Sequence, residues 1–251
     1  MAHDRREFLK TLGVLSAAST IAPGFSPEAA LVRAATGVAG PPTLSFLTQA
    51  EHEFIEAALA RLIPADELGP GAKEAGVAAF IDGQLAGGFG VMARAYRLGP
   101  WLEGTPEQGD QSALTPREIY RAAIREVDDD CDRRYGKRFA ELAASEQDDV
   151  LRGLDEGTIA LSSVKAPLFF GLLWGNAQEG FFADPVHGGN RDKVGWKLVG
   201  FPGVAAVYAE HIERHGEAYR ADPVSIVDLQ QKRVRVDEHG HPVHTRAAES
   251  E

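Results

Sequence analysis

The chain has 251 residues, of which 44% are hydrophobic and 25% charged, which is ordinary for a folded globular protein and long enough to bury a full core. Asp and Glu number 37 against 26 Lys and Arg, and a formal charge of −11 argues against gripping nucleic-acid phosphate, which needs a basic face. The single Cys131 excludes an internal disulfide, a Cys-ligated iron–sulfur cluster and a Cys-rich zinc site within the chain, and no run of 18 apolar residues is present to span a membrane.

Residues 1–35 read as an export signal rather than as part of the fold. Arg5-Arg6 is followed by Glu7-Phe8-Leu9-Lys10 and then by a weakly apolar stretch from Thr11 to Ala22, the order of a twin-arginine leader. Arg5, Arg6, Phe8 and Leu9 carry that signal, and a periplasmic destination is expected. The segment has four basic and three acidic groups, so its removal would leave about −12. Ala29-Ala30 and Ala34-Ala35 are both small-residue cleavage sites. The twin-arginine route carries folded cargo, which suits a protein that holds a cofactor or travels bound to one that does.

Residues 36–46 are a Gly/Pro/Thr-rich linker. Residues 47–220 are expected to form one mainly α domain. Thr48 and Glu51 make a capping box, and Phe54, Ile55, Ala58, Leu59, Leu62 and Ile63 follow at helical spacing until Pro64. A turn over 64–71 leads to a second helix over Ala72–Leu85, with Val77, Phe80, Ile81 and Leu85 inward. Gly87–Leu114 is glycine-rich and reads mostly as loop, apart from a short Val91–Leu98 segment. Thr115-Pro116-Arg117-Glu118 opens a third helix that carries Ile119, Ala123, Ile124, Val127 and Cys131 inward and stops near Gly136. Ser145 is expected to cap a fourth, with Val150, Leu151 and Leu154 inside. Ser163–Phe182 is apolar on nearly every face, which predicts a central buried helix with Pro167 in its first turn. Pro202-Gly203 would open a last helix with Val204, Val207, Tyr208, His211 and Ile212 inward. Residues 221–251 read as a polar tail with a short extended hairpin, in which Val234 and Val236 alternate and Glu238-His239-Gly240 turns.

The stretch from Phe181 to Gly203 gathers glycines, prolines and aromatics around Asp184, His187, Asn190, Arg191, Asp192 and Lys193. Such composition builds a rigid, non-repetitive loop. It reads equally well as a polar or partner-docking site and as a structural loop that satisfies its own backbone. If it were an active site, His187 would be the base and Arg191 the clamp for an anionic substrate. Asp184 and Asp192 are expected to accept hydrogen bonds from the backbone or from Arg191.

His211 and His215 stand at i and i+4 and could chelate a metal, but Ile212 occupies the position where a metalloprotease carries Glu. His239, His241 and His244 lie downstream in the tail. Asp128, Asp129, Asp130 and Asp132 read as a solvated helix face beside Arg133 and Arg134. Gly87-Gly88-Phe89-Gly90 lacks the spacing and the preceding strand of a dinucleotide fingerprint, and P-loop, GxSxG and CxxCH motifs are missing. No cofactor is expected to be held by this chain.

The 181–203 stretch resembles the signature of the gluconate 2-dehydrogenase subunit 3 family. The matching residues are Phe182-Ala183-Asp184-Pro185, Gly188-Gly189-Asn190-Arg191-Asp192, Gly195-Trp196-Lys197 and Gly200-Phe201-Pro202-Gly203. A second block resembles it too: Leu62-Ile63-Pro64-Ala65-Asp66, Pro70-Gly71-Ala72, Ala75-Gly76-Val77 and Phe80-Ile81-Asp82, and the twin-arginine start is a third match. The resemblance covers about residues 1–215 and departs at His187, where the family often has an aromatic such as Tyr. It implies a non-catalytic small subunit of a periplasmic dehydrogenase. The large partner would be of the glucose–methanol–choline oxidoreductase type and hold FAD, and a c-type cytochrome subunit would take the electrons. The large subunit would lack its own signal and leave the cytoplasm bound to this one. Family substrates include gluconate, 2-ketogluconate, sorbitol, fructose, glucose and glycosides. The resemblance also makes Phe182, Asp184, His187, Gly188, Gly189, Asn190, Arg191, Asp192 and Trp196 a structural or partner-interface loop.

Overall fold

The computed structural model describes residues 43–204 and 212–242, apart from 103, 110, 218, 220 and 240. The export signal, most of the linker and the positions Val207, Tyr208, His211 and His244 lie outside the described residues. Those described form a mainly α domain of seven helices, with isolated β-bridges in place of strands.

Helix α1 (Gln49–Leu62) starts at the expected capping box: Glu51 N–H donates to the Thr48 hydroxyl at 3.3 Å, and Thr48 N–H donates to the Glu51 carboxylate at 2.7 Å. Its stripe of Phe54, Ile55, Ala58 and Leu59 is buried, and each large side chain so buried contributes about 1.5–3 kcal/mol. Helix α2 (Val77–Ala86) begins five residues later than the pattern from Ala72 predicts. The reason is Gly76, which takes a left-handed φ of 73° and breaks the helical path, so 72–76 become turns. Val77, Phe80, Ile81 and Leu85 nevertheless face inward. Asp82 of α2 is buried and accepts the N–H groups of Ser45, Phe46 and Leu47 at 2.6–2.9 Å, which ties the segment before α1 to the core.

Residues 87–114 are turns and loop with one 3₁₀ turn at Pro106–Gln108. Helix α3 (Pro116–Tyr135) starts with Pro in its first turn and ends on Gly136 at φ 67°. Ile119, Ala123, Ile124, Val127 and Cys131 are buried along it. The acidic run on α3 is put to local use: Asp128 caps the Phe139 N–H at 3.0 Å, and Asp130 pairs with Arg133 and Arg134. Helix α4 (Ala144–Asp155) is capped differently from expectation. Its N-cap is Ala143, whose N–H donates to Glu146 at 2.9 Å, and Ser145 sits inside the first turn.

Helix α5 (Ala166–Phe182) is the central element and packs against α1, α2, α3 and α4. Phe169 meets Tyr120 edge-on at 5.5 Å and lies 6.3 Å from Phe54, which stacks on Phe139 at 4.5 Å. The buried Tyr120 hydroxyl is held by Asn176 at 2.8 Å, so neither polar group is left unpaired in the core. Gly180 lets α2 approach closely, since a Cβ there would fall 2.7 Å from Phe80 and Val77. The expected central position of α5 holds, with one face left open. Gly171, Trp174, Gln178 and Phe182 lie on an uncovered face, and Trp174 is 36% exposed.

Two shorter helices follow, α6 (Val194–Val199) and α7 (Ile226–Gln230). Where a last helix is expected to open at Pro202-Gly203, Gly203 is left-handed at φ 77° and bridges Val224, and residues 205–211 lie outside the described residues. Ile212, expected inward, is exposed. In the tail, Val236 pairs with Pro242 in one antiparallel bridge, and Asp237 N–H donates to the His241 carbonyl at 2.9 Å.

Candidate functional site

The 181–203 stretch is built from its backbone outward. Asn190 is fully buried and acts as its keystone: Nδ2 donates to the Ala183 carbonyl at 2.8 Å, and Oδ1 accepts the Gly195 N–H at 2.9 Å. One side chain thus ties the end of α5 to the start of α6. Asp184 caps the 3₁₀ turn Pro185–His187 through Val186 N–H at 3.0 Å, and its other oxygen accepts Ile226 N–H of α7 at 2.8 Å. Trp196 is buried, donates to the Phe182 carbonyl at 2.7 Å and meets Phe201 edge-on at 5.2 Å.

The glycines are there because backbones touch. A Cβ at Gly189 would lie 2.2 Å from the Gly180 carbonyl oxygen, and one at Gly195 would lie 2.2 Å from that of Phe181. Asn190, Asp192 and Lys193 all have positive φ, between 48° and 59°. Each such non-glycine residue costs about 1–3 kcal/mol and persists only where its surroundings over-determine it. Here the surroundings are the Asn190 bonds, Arg191 N–H on the Ala75 carbonyl at 2.9 Å, and Lys193 Nζ on Asp228 at 2.8 Å.

Of the two carboxylates expected to accept hydrogen bonds from the backbone or from Arg191, Asp184 does so through the backbone and Asp192 does not. Asp184 spends its oxygens on backbone N–H groups, and the Arg191 guanidinium and the Asp192 carboxylate have no hydrogen-bonded or ionic partner among the described residues. Arg191 instead lies against bare Gly76, where a Cβ would come within 2.9 Å of Nη2. The ion pair of the region is Lys193–Asp228, which sequence reasoning missed because Asp228 lies in the stretch read as a tail. Burial alone would push the Asp228 carboxyl up, but the bonds from Lys193 and Ser225 and the Lys193 charge outweigh it and hold it below the usual range. Val224 and Ser225 are buried beside it, so residues 224–228 pack on the signature loop. A capping box, Ser225 to Asp228, was the local signal for that helix.

His187 and Gly188 are exposed, the His187 N–H donates to the Asp184 carbonyl, and its ring has no hydrogen-bond partner among the described residues. Phe182 is largely exposed and stacks edge-on against buried Phe181 at 5.1 Å. His215 is exposed, while its proposed partner His211 lies outside the described residues. Among the described residues no group of three or more His, Cys, Asp or Glu is placed to hold a metal ion. Gly87–Gly90 follows a helix and forms a turn.

Beside the loop runs an apolar groove of about 520 Å³. One wall is the turn after α1, with Ile63, Pro64, Leu68 and Pro70. The floor is Trp174 and Phe181 of α5, and the other wall is Val194, Lys197 and Leu198 of α6. The groove wall after α1 is itself tightly folded, since a Cβ at Gly71 would fall 2.4 Å from the Ile63 carbonyl oxygen. Neither His187 nor Arg191 lines the groove. The two stretches that resemble the family, 62–82 and 181–203, therefore both contribute to it, the first through residues 62–70 and the second through Phe181, Val194, Lys197 and Leu198. Leu198 of this wall is exposed, as are Val199 and Phe201 just after it in sequence.

Asn190, Asp184 and Trp196 of the signature stretch are thus spent on backbone groups, and an uncovered apolar groove lies beside them in a helical domain. The family model for gluconate 2-dehydrogenase subunit 3 matches residues 49–203. The chain belongs to that family, which is named for a subunit of a multi-subunit gluconate dehydrogenase. No curated protein and no solved structure matched the chain.

Proposed function

We propose that this chain is the non-catalytic small subunit of a periplasmic sugar, sugar-acid or glycoside dehydrogenase, and that it assists folding and twin-arginine export of the catalytic subunit. The partner is an FAD-dependent oxidoreductase of the glucose–methanol–choline type, with a c-type cytochrome as a third subunit that accepts electrons. The observation that carries this reading is that two stretches within the matched family region, residues 62–70 and 194–198, line one open apolar groove. Apolar side chains at Trp174, Leu198, Val199 and Phe201 are left in water in this chain alone, the condition that a docking partner removes. The signature loop's part is to hold the groove wall in one shape: Asn190, Asp184 and Trp196 do so through backbone groups.

The test is co-expression with a large FAD-dependent dehydrogenase subunit of the proposed type. Replacing Trp174 and Leu198 with Ser should lower the yield of assembled complex by about tenfold or more, as loss of a buried anchor does, with turnover per assembled complex unchanged. Replacing Arg5 and Arg6 with Lys should leave the partner's dye-linked dehydrogenase activity in the cytoplasm. Normal assembly of the groove variant, or periplasmic activity with the Lys pair, would end the respective half of the proposal.

A further inference from the structure

Residues 222–230 follow the part of the chain matched to the family, yet they reach back and hold the signature stretch at three separate places. Ile226 N–H donates to Asp184 at 2.8 Å, and Lys193 Nζ donates to Asp228 at 2.8 Å. Val224 bridges Gly203: its N–H donates to the Pro202 carbonyl at 3.0 Å, and its carbonyl accepts the Val204 N–H at 2.7 Å. Lys193 stands immediately before α6 and Pro202 shortly after it, so one strap fastens both ends of that short helix. The fit at Gly203 is close, since a Cβ there would fall 2.1 Å from the Val224 carbonyl oxygen and 2.8 Å from the Trp196 ring. α6 in turn supplies Val194, Lys197 and Leu198 to the groove.

The strap is held mainly by polar contacts. Pro223 and Val224 are its buried apolar residues, while Val227 and Leu229 are half-buried and Ile226 is exposed. On the other side of the contact, Asp184, Lys193 and Pro202 are each half-buried. Water can reach them once the strap leaves, so opening strands none of them, and a hydrogen bond exchanged for one to water costs little net. Asp228 keeps Ser225 and, at 3.9 Å, Arg233 on its own side of the contact. The core around α5 is closed in a different way, by the fully buried Phe54, Tyr120 and Phe169. A segment with few buried apolar contacts opens at a fraction of the free energy that unfolds such a core.

We infer that residues 222–230 are a latch that opens as a unit while the helical core stays folded, and that α6 is fixed as the groove wall only while the latch is shut. Shut, it holds Lys193 and Pro202–Val204, and with them both ends of α6. Open, it frees that wall. A partner that fits the shut groove therefore favours closure, and closure favours the partner by the same factor. The link to docking rests on the function proposed above, whereas the opening of the latch is a property of the free chain.

Thiol labelling of the full chain tests this. Cys131 is buried in the core and reports its opening, and Val224→Cys places a second thiol under the latch. With each rate divided by that of the same thiol in denaturant, position 224 should react at least about a hundredfold faster than Cys131. In the unaltered chain, amide exchange over 222–230 should outrun that of α1 and α5 by a similar factor. Equal rates in both measurements would overturn the latch, because the strap would then open only with the core. Lys193→Met removes the ion pair and should raise labelling at 224, and amide exchange over 194–203, by about tenfold each. A rise at 224 alone would also overturn it, since α6 would not depend on the strap. In complex with a large dehydrogenase subunit of the proposed type, labelling at 224 should slow by about tenfold or more. Unchanged labelling in a complex that the Trp174 and Leu198 replacements still disrupt would overturn the coupling and leave the groove as the dock. Normal assembly of those groove variants, with 194–203 and 222–230 still opening together in the free chain, would end the groove reading and leave the latch standing.

Discussion

In the segment 181–203, a Cβ added at Gly189, Gly195 or Gly203 would land 2.1–2.2 Å from a backbone carbonyl oxygen. In the segment 87–109, one added at Gly109 would meet nothing within 4 Å, and one at Gly88 would meet only the Ala93 methyl at 3.6 Å. The two segments have similar composition and both read as glycine-rich loops. The first is cross-braced from within by Asn190, Asp184 and Trp196 and turns its apolar residues toward a groove. The second hangs on Gly90 and Arg97 and turns its apolar residues to water. Glycine content marks where a chain bends; whether the glycine is irreplaceable depends on which backbone lies against it.

The largest expected effect falls on the braced segment. Asn190→Ala removes two hydrogen bonds and strands the Ala183 carbonyl and the Gly195 N–H in a buried place. The cost is about 2–5 kcal/mol, which thermal melting should register as a fall of about 5–15 °C for a domain of this size. A fall of a degree or two would mean that the loop is braced elsewhere.

A second experiment sharpens the comparison inside the looser segment. Gly90→Ala places a Cβ 1.9 Å from the Leu85 carbonyl oxygen, whereas Gly88→Ala meets only ordinary contact. Chemical denaturation should give a loss of about 1–3 kcal/mol for the first and less than about 0.5 kcal/mol for the second. Equal losses would remove the distinction between the two glycines.

The third expected effect depends on pH. Asp228 has a folded-state carboxyl below its ordinary value, so its pairing with Lys193 adds stability that is present above the unfolded carboxylate range. That stability is lost as pH falls through the depressed folded value. Asp228→Asn should therefore be less stable than the parent at pH 7, by about 1–2 kcal/mol, and the gap should close below about pH 4. A gap that did not narrow at all as pH fell below the ordinary carboxylate range would assign the role to shape rather than charge.

The smallest effect on stability is expected at the exposed cation of the braced segment. Arg191→Ala removes a side chain with no acidic partner and should shift stability by less than about 0.5 kcal/mol. A fall of several kcal/mol in a melt would show that its packing on Gly76 matters. If the loop faces the catalytic subunit, the same change lowers complex yield while the melt stays put.

Much of the helical core was readable from local pattern. The capping boxes at Thr48 and Thr115, the Gly136 stop and the stripes on α1, α2 and α3 all stand as read, because capping and helical periodicity act over three or four residues. Two of the errors have one origin. Ala72–Gly76 reads as helix by composition, yet Gly76 turns left-handed where Arg191 crosses it. Val194–Val199 reads as part of a loop, yet it is helical because Gly195 fits under the Phe181 carbonyl. Both outcomes are set by contacts over more than ten residues of sequence.

The sequence by itself determined the helical class, most of the buried residues and, through the 181–203 and 62–82 blocks, the family, since these depend on residue identity and short-range spacing. Only the tertiary structure decided that Asp228 pairs with Lys193, that Arg191 pairs with no carboxylate among the described residues, and that one face of α5 stays open. The physical reason is that ion pairs and burial depend on which distant backbones come within a few ångströms. α5 is apolar almost all round, so its sequence cannot say which face its own chain will cover; the positions of α1, α2, α3 and α4 leave Trp174 at the floor of an open groove.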